Sequence, residues 1–369
     1  MQTQKIIYAV MLALLLFSST GLTAEAASGL PNSPEFGYGA RVSTTGQQIT
    51  QALALAPDIG LDWIAVNFDW ARLWPNPDVE PDFSTLFELI GQARQKNLSV
   101  LVSISNPPAW AMTPSGPNPD TTAAITLRMV SSYHGSLLVV ELFPGANTGR
   151  GWGTTPNPEA YIGMIQIARN ALANQNLQAY VIPSFSPLST TPSAGDIDDL
   201  TFLKKFYEAR MPTPIVGLRY QEIVGQPISD PAHGELGVLR HYEFVRNFML
   251  QNNHRTDLIW ITGFSWPSQL ASMEEQASWV YNAYKLLKAQ LYIGAAFFNG
   301  LTPSSPEEFF YSPASLVLAD GSLHPAAIQL RRVSSSTGES FDTALAVPQI
   351  QKGIIKKHIH KTILKRPSS

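Results

Sequence analysis

From about Phe36 to about Arg332, short runs of β-branched and aromatic residues alternate with longer segments whose apolar residues recur three and four apart. Alternation between a strand-like period and a 3.6-residue period points to successive βαβ units and a parallel sheet. Eight runs have strand character: Gly37–Val42, Trp63–Phe68, Ser99–Ile104, Leu137–Leu142, Ala179–Ile182, Ile215–Tyr220, Leu258–Thr262 and Ile293–Phe297. Helical spacing appears in Leu86-Leu89-Ile90-Ala93, in Tyr161-Met164-Ile165-Ala168-Leu172, in the pairs Phe202/Phe206 and Phe244/Phe248, and across Ala277 to Leu287. Eight units in roughly 300 residues fit an α/β fold, a (β/α)8 TIM barrel, built as a single domain over residues 35–332. A doubly wound open sheet would carry a glycine-rich phosphate loop after the first strand. Arg41-Val42-Ser43-Thr44 is no such loop.

Both flanks read differently. Lys5 supplies a positive start, Ile6 to Phe17 an apolar stretch too short to span a bilayer, and Ala24-Glu25-Ala26 a small-x-small cleavage site. Residues 1–26 therefore read as a signal peptide and the protein as secreted or extracytoplasmic, an uncleaved membrane anchor being the alternative. Beyond the barrel, residues 333–369 read as a basic, flexible tail. Lys352, Lys356, Lys357, Lys361, Lys365 and Arg366 lie there without an acid among residues 349–369. Such a run suits contact with an anionic wall polymer or membrane, or simply solvation. With no cysteine, the chain must draw its stability from a large core, and thiol catalysis, iron–sulfur clusters and cysteine zinc sites are excluded. A net charge of -3 gives no reason to expect nucleic acid as a partner. His134, His233 and His324 lack metal-ligand spacing, there is no Gly-x-Ser-x-Gly elbow, and no metal or organic cofactor is required. Charged residues make up only 14% against 10% aromatic, a balance that suits a neutral polyol ligand and equally an ordinary large core.

Several strand ends carry a specific resemblance. Gly60-Leu61-Asp62-Trp63-Ile64-Ala65-Val66-Asn67-Phe68-Asp69-Trp70 resembles the second strand of the retaining β-glycosidase clan of (β/α)8 barrels, which includes cellulases and β-xylosidases. Ser103-Ile104-Ser105-Asn106-Pro107-Pro108-Ala109-Trp110-Ala111 is similar to the third strand and its aromatic loop. Trp260-Ile261-Thr262-Gly263-Phe264-Ser265-Trp266 resembles the seventh, and Ile293 to Phe298 the eighth. The resemblance spans the whole barrel in order. It implies two carboxyl groups about 5–5.5 Å apart across the scissile bond, one an acid/base and one a nucleophile.

The clan places its acid/base in a Trp-Asn-Glu-Pro-Asn pattern on strand four, and its nucleophile in Trp-Ile-Thr-Glu-Phe-Gly-Trp on strand seven. Aligned through Glu141 and Asn147, the Asn-Glu pair of strand four becomes Pro144-Gly145, and the glutamate of strand seven becomes Gly263. Glycine cannot exchange a proton or attack, so the resemblance implies a degenerate, non-catalytic member that binds a carbohydrate or a protein partner. Expected saccharide contacts at the C-terminal strand ends are Asn106, Trp110, Asn147, Trp152, Arg219, Tyr220, Trp266 and Phe298. An active β-glycoside hydrolase with displaced carboxylates is the alternative, with Glu141, Asp69 or Glu222 recruited. A ligand-free scaffold is the third reading. Glu141 alternates with Phe143 and Gly145 on one strand face, so it points inward, about two residues below the mouth, where a structural role is expected.

Overall fold

A strand covered on both faces has no solvent side, so its apolar residues need not alternate. Gly37–Val42 (β1), Trp63–Asp69 (β2), Ile215–Arg219 (β6) and Ile293–Phe298 (β8) are buried at every position, and Ser99–Ser105 (β3) and Leu258–Phe264 (β7) nearly so. Leu138–Leu142 (β4) and Ala179–Phe185 (β5) complete the set. The computed structural model describes residues 36–44, 49–132, 138–188, 192–220, 223, 225–230, 237–266, 270–304 and 314–336. Within them the eight strands form one closed parallel barrel, in the order β1-β8-β7-β6-β5-β4-β3-β2. Closure is made where Gly37 pairs with Ala295 on one side of β1 and Gly39 with Trp63 on the other.

Bulky side chains fill the barrel's lower interior. Trp63 meets Trp260 edge to face at 5.1 Å, and both meet Phe297. Gly39 is a glycine for this reason: a Cβ there would run into the Phe297 ring.

Helices wrap the outside: Ile49–Ile59 (α1), Ser84–Gln95 (α2), Pro119–Ser132 (α3), Pro158–Asn174 (α4), Asp199–Glu208 (α5), Tyr242–Gln251 (α6), Met273–Lys288 (α7) and Pro325–Ser335 (α8). Their starts follow local chemistry. Asn157 caps α4 ahead of Pro158, Asp198 caps α5, and Ser272 with Glu275 forms a reciprocal capping box on α7. Two buried tyrosines fasten helices to strand ends. Tyr161 of α4 donates to the Leu142 carbonyl at 2.5 Å and accepts from Ser184 N at 3.0 Å. Tyr284 of α7 donates to the Gly39 carbonyl at 2.7 Å and accepts from Phe298 N at 3.1 Å.

The fold read from the sequence is the fold present, with differences at the margins. β5 runs three residues past Ile182, through Pro183, which lies opposite Leu142 in the ladder. β7 runs two residues past Thr262, to Phe264. α8 passes Arg332 and ends at Ser335, burying Val333, so the barrel extends slightly into the segment expected to be tail. The expected signal peptide and the rest of the basic tail lie outside the described residues. Among the described residues no helix is long and apolar enough to cross a membrane.

Candidate functional site

In this fold ligands are met at the C-terminal ends of the strands. The end of β4 turns sharply there. Phe143 adopts φ +46° and Gly145 φ +75°, so the chain doubles back through two left-handed positions. The turn is held by Phe143 N on the Ile104 carbonyl and by Thr148, whose N and Oγ1 both reach the Gly145 carbonyl at 2.8 Å. Thr148 then caps the helical turn Gly149–Trp152. Gly151 packs so closely on the Gly145 carbonyl that a Cβ there would overlap it. Gly145 therefore sits in a backbone conformation that an L-residue enters only at a cost of about 1–2 kcal/mol.

At the end of β7, the second glycine has been filled over. A Cβ on Gly263 would overlap the guanidinium of Arg219 and come within 2.5 Å of Asn299 Oδ1. Arg219 gets there from β6 through a register shift between Leu218 and Arg219 against β7, and its Nη1 donates to the Thr262 carbonyl at 3.3 Å.

Below lies a buried polar layer. Glu141 is wholly enclosed, at 0% exposure, and accepts from Ser103 Oγ at 2.5 Å. Arg41 of β1 lies 3.9 Å from the same carboxylate oxygen, donates to Ser103 Oγ at 3.3 Å and reaches the Thr262 carbonyl at 3.0 Å. Thr262 thus receives both guanidiniums on one carbonyl. Burial, reinforced by the charge of Arg41, drives the Arg219 guanidinium well below its ordinary range. Glu141 opposes that shift and Arg150 adds to it. Glu141 is enclosed among Ser103 and Arg41.

Asp69, the second fallback carboxylate, is buried and committed. Its Oδ1 caps the turn Trp70–Leu73 through Arg72 N at 3.4 Å and accepts from Asn106 Nδ2 at 2.7 Å. Glu222 lies outside the described residues.

Of the eight expected saccharide contacts, six are covered in this structure. Trp152 is fully buried against Phe143 and Tyr161, its indole N–H donating to the Ser115 carbonyl. Trp266 donates to the Gly225 carbonyl and packs with Phe264 and Trp279; Phe298 stacks edge-on to Phe264 behind the sheet. Tyr220 is turned inward, with its hydroxyl 2.5 Å from the Leu239 carbonyl. Asn147 is enclosed and ties β4 to the next loop through Ser186 N, the Ser186 carbonyl and the Ile197 carbonyl. Each of these polar atoms has an internal partner because burying it without one is costly. These side chains brace the mouth and present no free stacking face, which corrects the expectation for them. Arg219 is also buried, but it faces the mouth at Gly263.

Trp110 and Asn106 remain half-exposed. Trp110 stands 4.9 Å from Trp74 and 5.7 Å from Trp70, both edge to face, and donates to the Trp74 carbonyl. Trp74, also half-exposed, extends an aromatic rim beside β2 and β3 that the sequence reading did not include. Arg41, Ser103 and Asn299 were also missed. A charged residue inside the apolar run of β1 was the available sign for Arg41. Among the described residues no group of three or more His, Asp or Glu is placed to hold a metal.

The closed parallel barrel carries one glycine at the β4 turn and another at the end of β7. Solved structures to which this barrel is similar include glycoside hydrolases. One is GH5_18 from Streptomyces cattleya, solved in complex with GlcNAc, with TM-score 0.62, 13% identity and coverage of 84% of this chain and 82% of that one. A family 39 glycoside hydrolase from the gut symbiont Bacteroides cellulosilyticus WH2 gives TM-score 0.58 and 13% identity; the match takes in 81% of this chain and 63% of that longer one. A β-glycosidase from Pyrococcus horikoshii gives TM-score 0.56 and 13% identity, covering 83% of this chain and 88% of that one. No protein-family model and no curated protein matches the chain. At these identities the likeness establishes the (β/α)8 barrel fold.

Proposed function

We propose that this protein is an exported, catalytically silent glycoside hydrolase-like barrel that binds a saccharide at the mouth of the barrel. One observation carries the reading: the space that a side chain at Gly263 would enter is taken by the Arg219 guanidinium and the Asn299 amide. At the other glycine, the left-handed backbone of Gly145 disfavours any side chain. Two carboxyl groups facing each other across a bond are the requirement of the clan's chemistry. Glu141 and Asp69 are each engaged in internal hydrogen bonds. The half-exposed rim of Trp74 and Trp110, beside Asn106, offers aromatic surface of the kind on which sugar rings pack.

The test is a panel of aryl β-glycosides at high protein concentration together with a glycan array. No hydrolysis and saturable binding to a glycan are expected. Turnover that disappears in Glu141→Gln or Asp69→Asn would establish an active enzyme with displaced carboxylates instead. Absence of any saturable glycan signal would leave only a scaffold.

A further inference from the structure

The end of the barrel opposite the mouth has a cleft of its own. It opens beside the starts of β7 and β8, between Arg246 of α6, the turn Arg255-Thr256-Asp257 and the pair Leu291-Tyr292, and measures about 370 Å³. Clefts that hold small molecules run from about 300 to 1,000 Å³. Its two walls differ in chemistry. On one side Arg246 is fixed: its guanidinium lies 4.9 Å over the Tyr292 ring, and Nη1 and Nη2 donate to the Asp257 and Arg255 carbonyls at 3.1 and 2.7 Å. Arg255 adds a second cation on an exposed side chain. The acid among these residues, Asp257, has its Oδ2 engaged, 2.7 Å from His254 Nδ1 and accepting from Thr213 Oγ1 at 3.3 Å. The other wall is apolar. Leu291 is 69% exposed, the most uncovered large apolar side chain among the described residues, and it adjoins the Tyr292 ring. Leu250, one turn beyond Arg246 and so on the same face of α6, is exposed as well.

A guanidinium held in a set orientation beside an uncovered apolar wall fits an anion carried on an apolar body. We infer that this cleft binds an amphipathic organic acid, its carboxylate facing Arg255 and Arg246 and its apolar body lying against Leu291 and Tyr292. Planar guanidinium matches carboxylate in geometry, which supplies orientation. Taking the leucine and the tyrosine ring out of water supplies the non-directional part. Chemistry in this fold sits at the C-terminal ends of the strands, so a ligand held beside their N-terminal ends occupies a site separate from the mouth. The inference stands or falls independently of saccharide binding.

The experiment is calorimetric titration of the full chain with 4-phenylbutyrate, with its neutral amide 4-phenylbutanamide, and with acetate, which has the charge without the body. The phenylbutyrate is expected to bind at least about tenfold more tightly than the amide, the fold-change corresponding to one charged hydrogen bond. Acetate should be weaker still. Arg255→Gln, at an exposed position that leaves the fold intact, should bring the acid down toward the amide. Leu291→Ser, equally exposed, should weaken acid and amide alike by several-fold. Equal binding of acid and amide overturns the inference, as does the absence of saturable binding by any of the three. Acetate as tight as phenylbutyrate would show a site for free anions only. Affinity for the acid unchanged in both variants would place its site elsewhere on the molecule and so refute this one.

Discussion

Glu141 shows how one side chain can be indispensable without chemistry. It is the enclosed acid 3.9 Å from the buried Arg41, and its charge also acts on the buried Arg219. Breaking a buried pair by deleting one partner costs about 3–5 kcal/mol. Glu141→Gln, which keeps a group for Ser103 to bond, is therefore expected to lower unfolding free energy by about 3 kcal/mol, measured by urea denaturation. A loss under about 1 kcal/mol would mean the carboxylate carries no such burden. Gly263 is the opposite case. Gly263→Ala forces Arg219 and Asn299 aside from settled positions, and overpacking of this kind costs about 1–3 kcal/mol. The same change in an Arg219→Ala background should be nearly free, so a double-mutant cycle isolates the coupling. The sequence shows the glycine at 263, because the flanking Trp-Ile-Thr and Phe residues hold the alignment without gaps. It does not show what fills the space. That depends on a register shift between β6 and β7, which no local pattern announces.

Among the elements, the start of α5 and the turn before α6 hold a titrating cluster remote from any proposed chemistry. Asp198 and Asp199 are adjacent and buried, and Asp199 Oδ2 lies 2.8 Å from His241 Nε2, with the Arg240–Glu243 pair beside it. Burial, with Asp199 next to it, pushes the Asp198 carboxyl up to about 6. Burial works to lower the His241 pKa, but the charge of Asp199 and its hydrogen bond, helped by Asp198, hold it above the ordinary histidine value. Both shifts have one sign for stability. The folded state binds protons more tightly than the unfolded chain, so stability falls as pH rises from about 4 through 6 on account of Asp198, and again above about 6.5 on account of His241. Asp198→Asn retains a helix cap and removes the titrating group. It should flatten the lower leg of the stability profile, measured by chemical denaturation from pH 4 to 8, and an unchanged profile would refute the assignment. Elements were the most legible level of this protein. The strand runs are buried on both faces and so stand out as apolar blocks. The ends were less legible where Pro183 sits inside β5, since proline is a poor strand signal. Aromatic residues at strand ends were misleading for a physical reason: bracing residues such as Trp152 and Tyr220 look like ligand-stacking ones until their partners are known.

At the scale of the whole molecule, the barrel shares its fold with solved glycosidases and carries glycine at positions 145 and 263. Restoring the pair is then a demanding test. Gly145→Glu with Gly263→Glu must pay the left-handed backbone at 145 and displace Arg219, so the double variant is expected to stay inactive on aryl β-glycosides. Adding Arg219→Ala opens the space at Gly263. Hydrolysis gained only in the triple variant would identify Arg219 as the obstruction; hydrolysis in the double variant would show that the guanidinium is not in the way.

Ring closure sets a timetable for the nascent polymer. β1 finds its second neighbour only in β8, and the hydroxyl of Tyr284 then clamps Gly39 and Phe298 together. Tyr38, at the beginning, also meets the Val333 carbonyl at 3.5 Å. About 250 residues, from β1 to β8, must be in place before β1 gains that second neighbour. Until then the polypeptide stays an open thread with unpaired strand edges, long-range pairing being slow to form. Such a thread needs shielding from its own kind while it waits.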